Sequence, residues 1–165
     1  MDEWENECGV RFHQSSPGPD AYQIIRIHGS NSWTSSIGDN NAHNYMYYGD
    51  SPDPVEAKGH VLHELGHCIG LVHEHQRPDR GEYIKIVWDN IHSRYEHNFI
   101  IRDNPLISEK NFPYDYGSIM HYGSMDFSLG GPTIIADDVE IGQRIGISYW
   151  DAEKARAIYG PPLED

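Results

Sequence analysis

Cysteine is nearly absent: Cys8 and Cys68 are the only two in 165 residues, which excludes the multi-disulfide framework that holds many small secreted domains together. A single bridge between them stays open. Basic residues are also scarce, 12 Lys and Arg against 26 Asp and Glu, for a formal charge of −14. A phosphate backbone is gripped chiefly by cationic side chains, so this balance argues against nucleic-acid binding and suits anionic membranes poorly. No apolar run approaches the roughly 18 residues of a membrane-spanning helix. The opening Met1-Asp2-Glu3-Trp4-Glu5-Asn6-Glu7 lacks the apolar core of a signal peptide. What remains, 38% hydrophobic with 16 Gly and 10 Pro, reads as one soluble, turn-rich globular domain over residues 1–165.

Residues 1–7 read as the end of a helix anchored by Trp4, followed by a short strand at Val10–His13. The turn cluster Ser15 to Asp20 precedes a strand at Tyr22–His28, and a polar loop from Gly29 to Asn41 carries Trp33 as its one large anchor. His43–Tyr48 reads as another strand, one whose free edge could pair with an extended peptide. Asp53 is placed to cap a long helix opened by Pro54 and ended by Gly70. Tyr83–Val87 is a short apolar stretch. Trp88, Ile91, Tyr95 and Phe99 fall at helical spacing and read as core. Pro105 to Tyr116 is irregular, and a last helix over Ile147–Tyr159 starts near Ser148 or Asp151 and stops at Gly160.

The chemistry concentrates in His63-Glu64-Leu65-Gly66-His67-Cys68-Ile69-Gly70-Leu71-Val72-His73. On a helix His63 and His67 lie one turn apart on the same face and can reach one ion, with Glu64 beside them. Gly70 can take positive φ, ending the helix so that His73 folds back to the metal. Three neutral imidazoles leave a zinc coordination position open for water, the pattern of a hydrolytic site. In a chain of this composition His-Glu-x-x-His arises by chance in roughly one sequence in twenty, and adding Gly70 and His73 lowers that to roughly three in ten thousand. Cys68 is turned about 100° off the ligand face and reads as a buried residue on the helix back. His60 and His75 flank the motif but miss its face or spacing, and read as structural.

The run HELGHCIGLVHEHQRPDR from His63 to Arg80 resembles the astacin family of metzincin zinc endopeptidases. Ser118-Ile119-Met120-His121-Tyr122 is similar to that family's methionine turn, and Cys8-Gly9-Val10-Arg11-Phe12 and Ser148-x-x-Asp151 extend the likeness over nearly the whole chain. The resemblance implies an α+β metzincin-type domain. Its N-terminal lobe would hold a twisted, mostly parallel sheet with an antiparallel edge strand and the active-site helix; its irregular C-terminal lobe would hold the methionine turn and a closing helix. It implies one catalytic Zn2+ held by His63, His67 and His73, Glu64 as general base, and Tyr122 both as an additional metal ligand and as a catalytic group steadying the transition state. Met120 would floor the site. A protein or peptide substrate, bound extended near His43–Tyr48, and secretion are implied in the same way.

Two departures stand beside the likeness. Family members usually begin with a further strand and a fuller first helix, which supply a buried amino terminus near the residue matching Glu74, whereas this chain starts almost at Cys8. The family's two usual disulfides lack partners here. The rival readings are a truncated domain that binds zinc and peptide without turnover, and a zinc hydrolase of small molecules. A purely structural zinc module fits worst, because closed sites normally use four protein ligands.

Overall fold

The structure is a computed structural model that describes residues 1–12, 23–28, 34–35, 43–48, 51–104 and 111–163. The expected turn at 15–20, Tyr22, Trp33 and the start of the irregular stretch at 105–110 lie outside them. The first helix, α1, spans Asp2–Glu7 and sinks Trp4 completely, with the indole Nε1 donating to Leu62 O at 3.1 Å. Strands β1 (Gln23–His28), β2 (Thr34–Ser35) and β3 (His43–Tyr48) form a mixed sheet in the order β1-β3-β2. β1 runs parallel to β3 from Gln23↔His43 to His28↔Tyr48, and β2 pairs antiparallel at Ser35↔Met46 and Thr34↔Tyr47.

This order corrects one expectation. β2, read from sequence as polar loop, takes up the ladder groups of Met46 and Tyr47, so β3 is the central strand and the antiparallel edge belongs to β2.

Helix α2 spans Pro54–Cys68. Asp53 caps it, its Oδ1 accepting from Val55 N at 2.8 Å, and Pro54 occupies the first turn where a missing N–H costs nothing. At the other end Gly70 adopts φ +96°, a value costly for any side-chain-bearing residue, and the chain reverses so that Leu71 N donates to Gly66 O at 2.9 Å. The last turns of α2 are buried on every side from Leu62 to Cys68. One apolar cluster, around Trp4, Leu62, Leu65, Leu71, Ile119 and Met120, packs beneath that helix.

The second half is irregular. β4 (Lys85–Ile86) and β5 (Ile134–Ile135) pair antiparallel, and a second core gathers Ile84, Ile91, Phe99, Tyr114, Tyr122 and Ile134. The closing helix α3, Tyr149–Tyr159, has a full capping box between Ser148 and Asp151 and ends at Gly160 with φ +82°. It docks on α1 through Arg156, whose Nε donates to Glu7 O at 2.6 Å.

Two further expectations are corrected. Residues 10–12 form no strand, because Phe12 N donates to the Glu5 carboxylate and Gly9 N to Gly160 O instead of to a neighbouring strand. Trp88–Asn90 and Ser93–Phe99 are 3₁₀ segments, broken where Ile91 bridges to Ser128; Ile91 and Phe99 are core, but Trp88 is exposed. The pairing left open between Cys8 and Cys68 is not made: both are buried outside any disulfide, and burial pushes the Cys8 thiol up to about 11.

Candidate metal centre

α2 and the reversal at Gly70 bring His63, His67 and His73 together, their ligand atoms within 4.8 Å of one another. His73 Nε2 lies 3.1 Å from His63 Nε2 and 3.0 Å from His67 Nε2. The opposite ring nitrogens are already committed. His63 Nδ1 donates to Ile119 O at 2.7 Å, His67 Nδ1 to Leu71 O at 2.8 Å, and His73 Nδ1 to Gln76 Oε1 at 3.2 Å. Carbonyl and amide oxygens only accept, so each neutral ring carries its proton on Nδ1, and three Nε2 lone pairs point at one another. Such a cluster repels itself unless a cation sits among it. The donor set and the spacing suit zinc, which takes imidazole nitrogen at about 2.0–2.1 Å.

Burial strengthens this arrangement. It holds His63 and His73 well below the usual imidazole range and lowers His67 to about 4, each ring being further disfavoured as a cation by nearby positive charge. The rings therefore stay neutral, as metal ligands must.

The surrounding layer is built from side chains that the motif alone does not single out. Gln76 is buried, and its amide is oriented by Nε2 donating to Asn98 O at 2.9 Å, which turns Oε1 toward His73. Ile119 O accepts from Arg144 Nη1 at 3.3 Å as well as from His63. Asp151 fixes the turn at 118–121 from behind: its Oδ1 accepts from Ser118 Oγ at 2.6 Å and its Oδ2 from Ile119 N at 2.8 Å. Met120, 1% exposed, lies under α2, where a Cβ at Gly66 would come within 2.5 Å of its Sδ. The floor role expected for Met120 thus has a structural counterpart in Gly66.

Glu64 is buried on the same turn of α2 as His63. Tyr122 follows the turn, its ring centroid 4.4 Å from that of His73 and stacked on His75 at 4.1 Å. Burial, then the Asp126 and Glu64 carboxylates, raise its phenol pKa, so the group stays protonated. His75 is structural as expected: its Nε2 donates to Asn98 O at 3.0 Å. His60 stays partly exposed, its Nε2 3.7 Å from the Glu56 carboxylate, and is not among the three histidines whose ligand atoms converge. Of the five residues singled out from sequence, His63, His67 and His73 converge on one point, the Tyr122 ring lies beside His73, and Glu64 is buried on α2 next to His63. Gln76, Arg144 and the clamping role of Asp151 were not visible in the spacing.

A two-histidine helix turn with an intervening glutamate, a glycine reversal to a third histidine, and a methionine turn below are the arrangement of the metzincin class. The family model for Astacin, a peptidase family, matches residues 1–160. The chain belongs to the astacin family. It is 37% identical over 170 residues to blastula protease 10 of Paracentrotus lividus, covering 96% of this chain and 28% of that one. It is 36% identical to zinc metalloproteinase nas-13 of Caenorhabditis elegans, covering 98% of this chain and 36% of the relative. The chain thus spans about a third or less of the length of these relatives. Among solved structures, high choriolytic enzyme 1, a hatching-enzyme zinc protease of Oryzias latipes, superposes with a TM-score of 0.84 at 30% identity, over 98% of this chain and 79% of that one. The α+β metzincin fold expected from the sequence is the fold of this family.

Proposed function

We propose that this domain is a zinc-dependent endopeptidase in which His63, His67 and His73 hold the ion, Glu64 is the general base and Tyr122 assists at the metal. The observation that carries the reading is the convergence of three Nε2 atoms, from buried His63 and His67 and half-buried His73, whose Nδ1 protons are each held by an oxygen acceptor. Zinc held by these three histidines would supply Lewis acidity and lower the pKa of a water at the site to about 7. Glu64, one residue from a ligand and buried, takes the proton from the attacking water and passes it to the leaving amine. The Tyr122 phenol, kept protonated by burial, donates a hydrogen bond to the developing oxyanion, where a preorganised donor contributes most.

An extended peptide is the substrate class, and among the described residues the antiparallel edge strand of the sheet is β2. The domain works outside the cytoplasm, as its family resemblance implies; no described helix is long and apolar enough to cross a membrane. The test is cleavage of a quenched peptide library before chelation, after chelation, and after stoichiometric zinc is returned. Cleavage lost and then restored supports the reading. Absence of cleavage by folded, zinc-loaded protein refutes it and favours a binding module.

A further inference from the structure

The residue that follows the third histidine, Glu74, is 1% exposed, and its carboxylate has an unusual set of partners. Oε1 accepts from Asp115 N at 2.9 Å and from Arg77 Nη1 at 3.0 Å, while Oε2 accepts from the ammonium of Lys154, itself 3% exposed and borne on α3, 80 residues along the chain. Lysine is almost never this deeply buried without a charged partner. Arg77 cannot balance Glu74 alone, because its Nε and Nη2 are spent on Asp79 at 2.9 and 2.7 Å. Two anions, buried Glu74 and half-exposed Asp79, thus face two cations, Arg77 and Lys154, and loss of the ammonium leaves both carboxylates sharing the one guanidinium of Arg77.

The same glutamate is tied to the metal centre through its backbone. Glu74 N donates to Met120 O at 3.1 Å, so its position sets how the segment carrying His73 lies on the methionine turn. One helical turn away on α3, at the i and i+3 positions, Asp151 grips that turn at Ser118 and Ile119, and Ile119 O fixes His63. α3 therefore holds the centre at two points, behind His63 through Asp151 and behind His73 through Lys154.

We infer that Lys154 is a positioning residue for the metal centre: its buried ammonium neutralises Glu74 and so fixes the segment that presents His73. The inference rests on the reading of His73 as a zinc ligand. It is tested by zinc affinity, measured by competition with a chromophoric chelator on folded protein, for wild type, Lys154→Met and the double variant Glu74→Gln/Lys154→Met. Outer-layer groups around a metal change its affinity by about 10–100-fold. Lys154→Met is expected to weaken zinc binding by about tenfold or more, whereas the double variant, which has lost both charges, returns to within about threefold of wild type. The visible spectrum of the cobalt-substituted forms should shift in the single variant and revert in the double.

A single variant that binds zinc as wild type does overturns the inference and leaves the site reading standing. A double variant no tighter than the single also overturns it. If Lys154→Met does not fold, a folded double variant with near wild-type affinity supports the inference, and a double variant that fails to fold or to bind overturns it. A wild-type chain that binds no zinc overturns the site reading, and this inference with it.

Discussion

Removing the side chain of Gln76 should weaken zinc binding while leaving the metal-free fold largely intact, and the reason lies in proton placement. Of the three acceptors that hold the triad's Nδ1 protons, two are main-chain carbonyls, Ile119 O and Leu71 O, and only Gln76 Oε1 can be deleted by substitution. In Gln76→Leu the Asn98 carbonyl keeps a donor, His75 Nε2 at 3.0 Å, so the direct loss is confined to His73 Nδ1. A buried N–H left without an acceptor costs about 1–3 kcal/mol. The metal-free protein can escape that cost by moving the His73 proton to Nε2, which has His63 and His67 nitrogens 3.1 and 3.0 Å away. The zinc-bound protein cannot, because Nε2 is then the ligand atom. The penalty therefore falls on the bound state, and affinity should drop about 10–100-fold, equivalent to about 1.4–2.7 kcal/mol. Chelator competition reads the affinity, and chemical denaturation of the metal-free forms reads the fold. An affinity within about twofold of wild type, or a metal-free stability that falls as far as the zinc-bound one, would refute the reasoning.

Other outcomes follow from the same geometry. Tyr122→Phe removes a donor placed beside His73 and should lower kcat by about 10²–10³-fold while zinc affinity stays within a few-fold, read by steady-state kinetics and chelator competition. Gly59→Ala in α2 should lower the thermal midpoint although alanine favours helix by about 1 kcal/mol, because the new Cβ meets the backbone oxygen of Arg144 at 2.0 Å and overpacking of this kind costs about 1–3 kcal/mol; a raised midpoint in calorimetry contradicts the packing described. The metal-free protein should lose stability in acid. His67 has its pKa lowered to about 4 against 6.5 when unfolded, so between those values the unfolded chain binds more protons and stability falls as pH drops from about 6.5 toward 4. That group alone accounts for about 3 kcal/mol, to order of magnitude, with His63, His73, His75 and His121 acting in the same direction; urea midpoints that are flat over that window argue against buried neutral rings.

The parts legible in sequence are those fixed by local rules. Asp53 before Pro54, Gly70 after the last ligand of α2, and Ser148 with Asp151 mark their helix ends by capping chemistry, and the structure places each end where that chemistry puts it. The ligand spacing carried the triad because three histidines at helical and reversal positions have few other uses. What stayed hidden depends on partners remote in sequence. β3 is central only because a two-residue strand, Thr34–Ser35, returns to cover it, and two residues leave no periodicity to read. Trp88, Ile91, Tyr95 and Phe99 mimic a helix, yet the bridge from Ile91 to Ser128 breaks the segment into 3₁₀ pieces and leaves Trp88 outside. Gln76 sits three residues beyond His73 in a motif-like run, but its role follows from Asn98 turning its amide, a contact 22 residues away. Asp151 announces itself as a cap residue and gives no local sign that it also grips the turn below the metal.

The most direct test of the central claim is peptide cleavage by Glu64→Gln compared with wild type at equal, measured zinc occupancy. Glu64 is one residue from a ligand but is not counted among the three that hold the ion, so the account predicts one zinc per chain in both proteins and a loss of at least about 10²–10⁴-fold in turnover for the variant. A zinc-loaded Glu64→Gln that cleaves at the wild-type rate would contradict it.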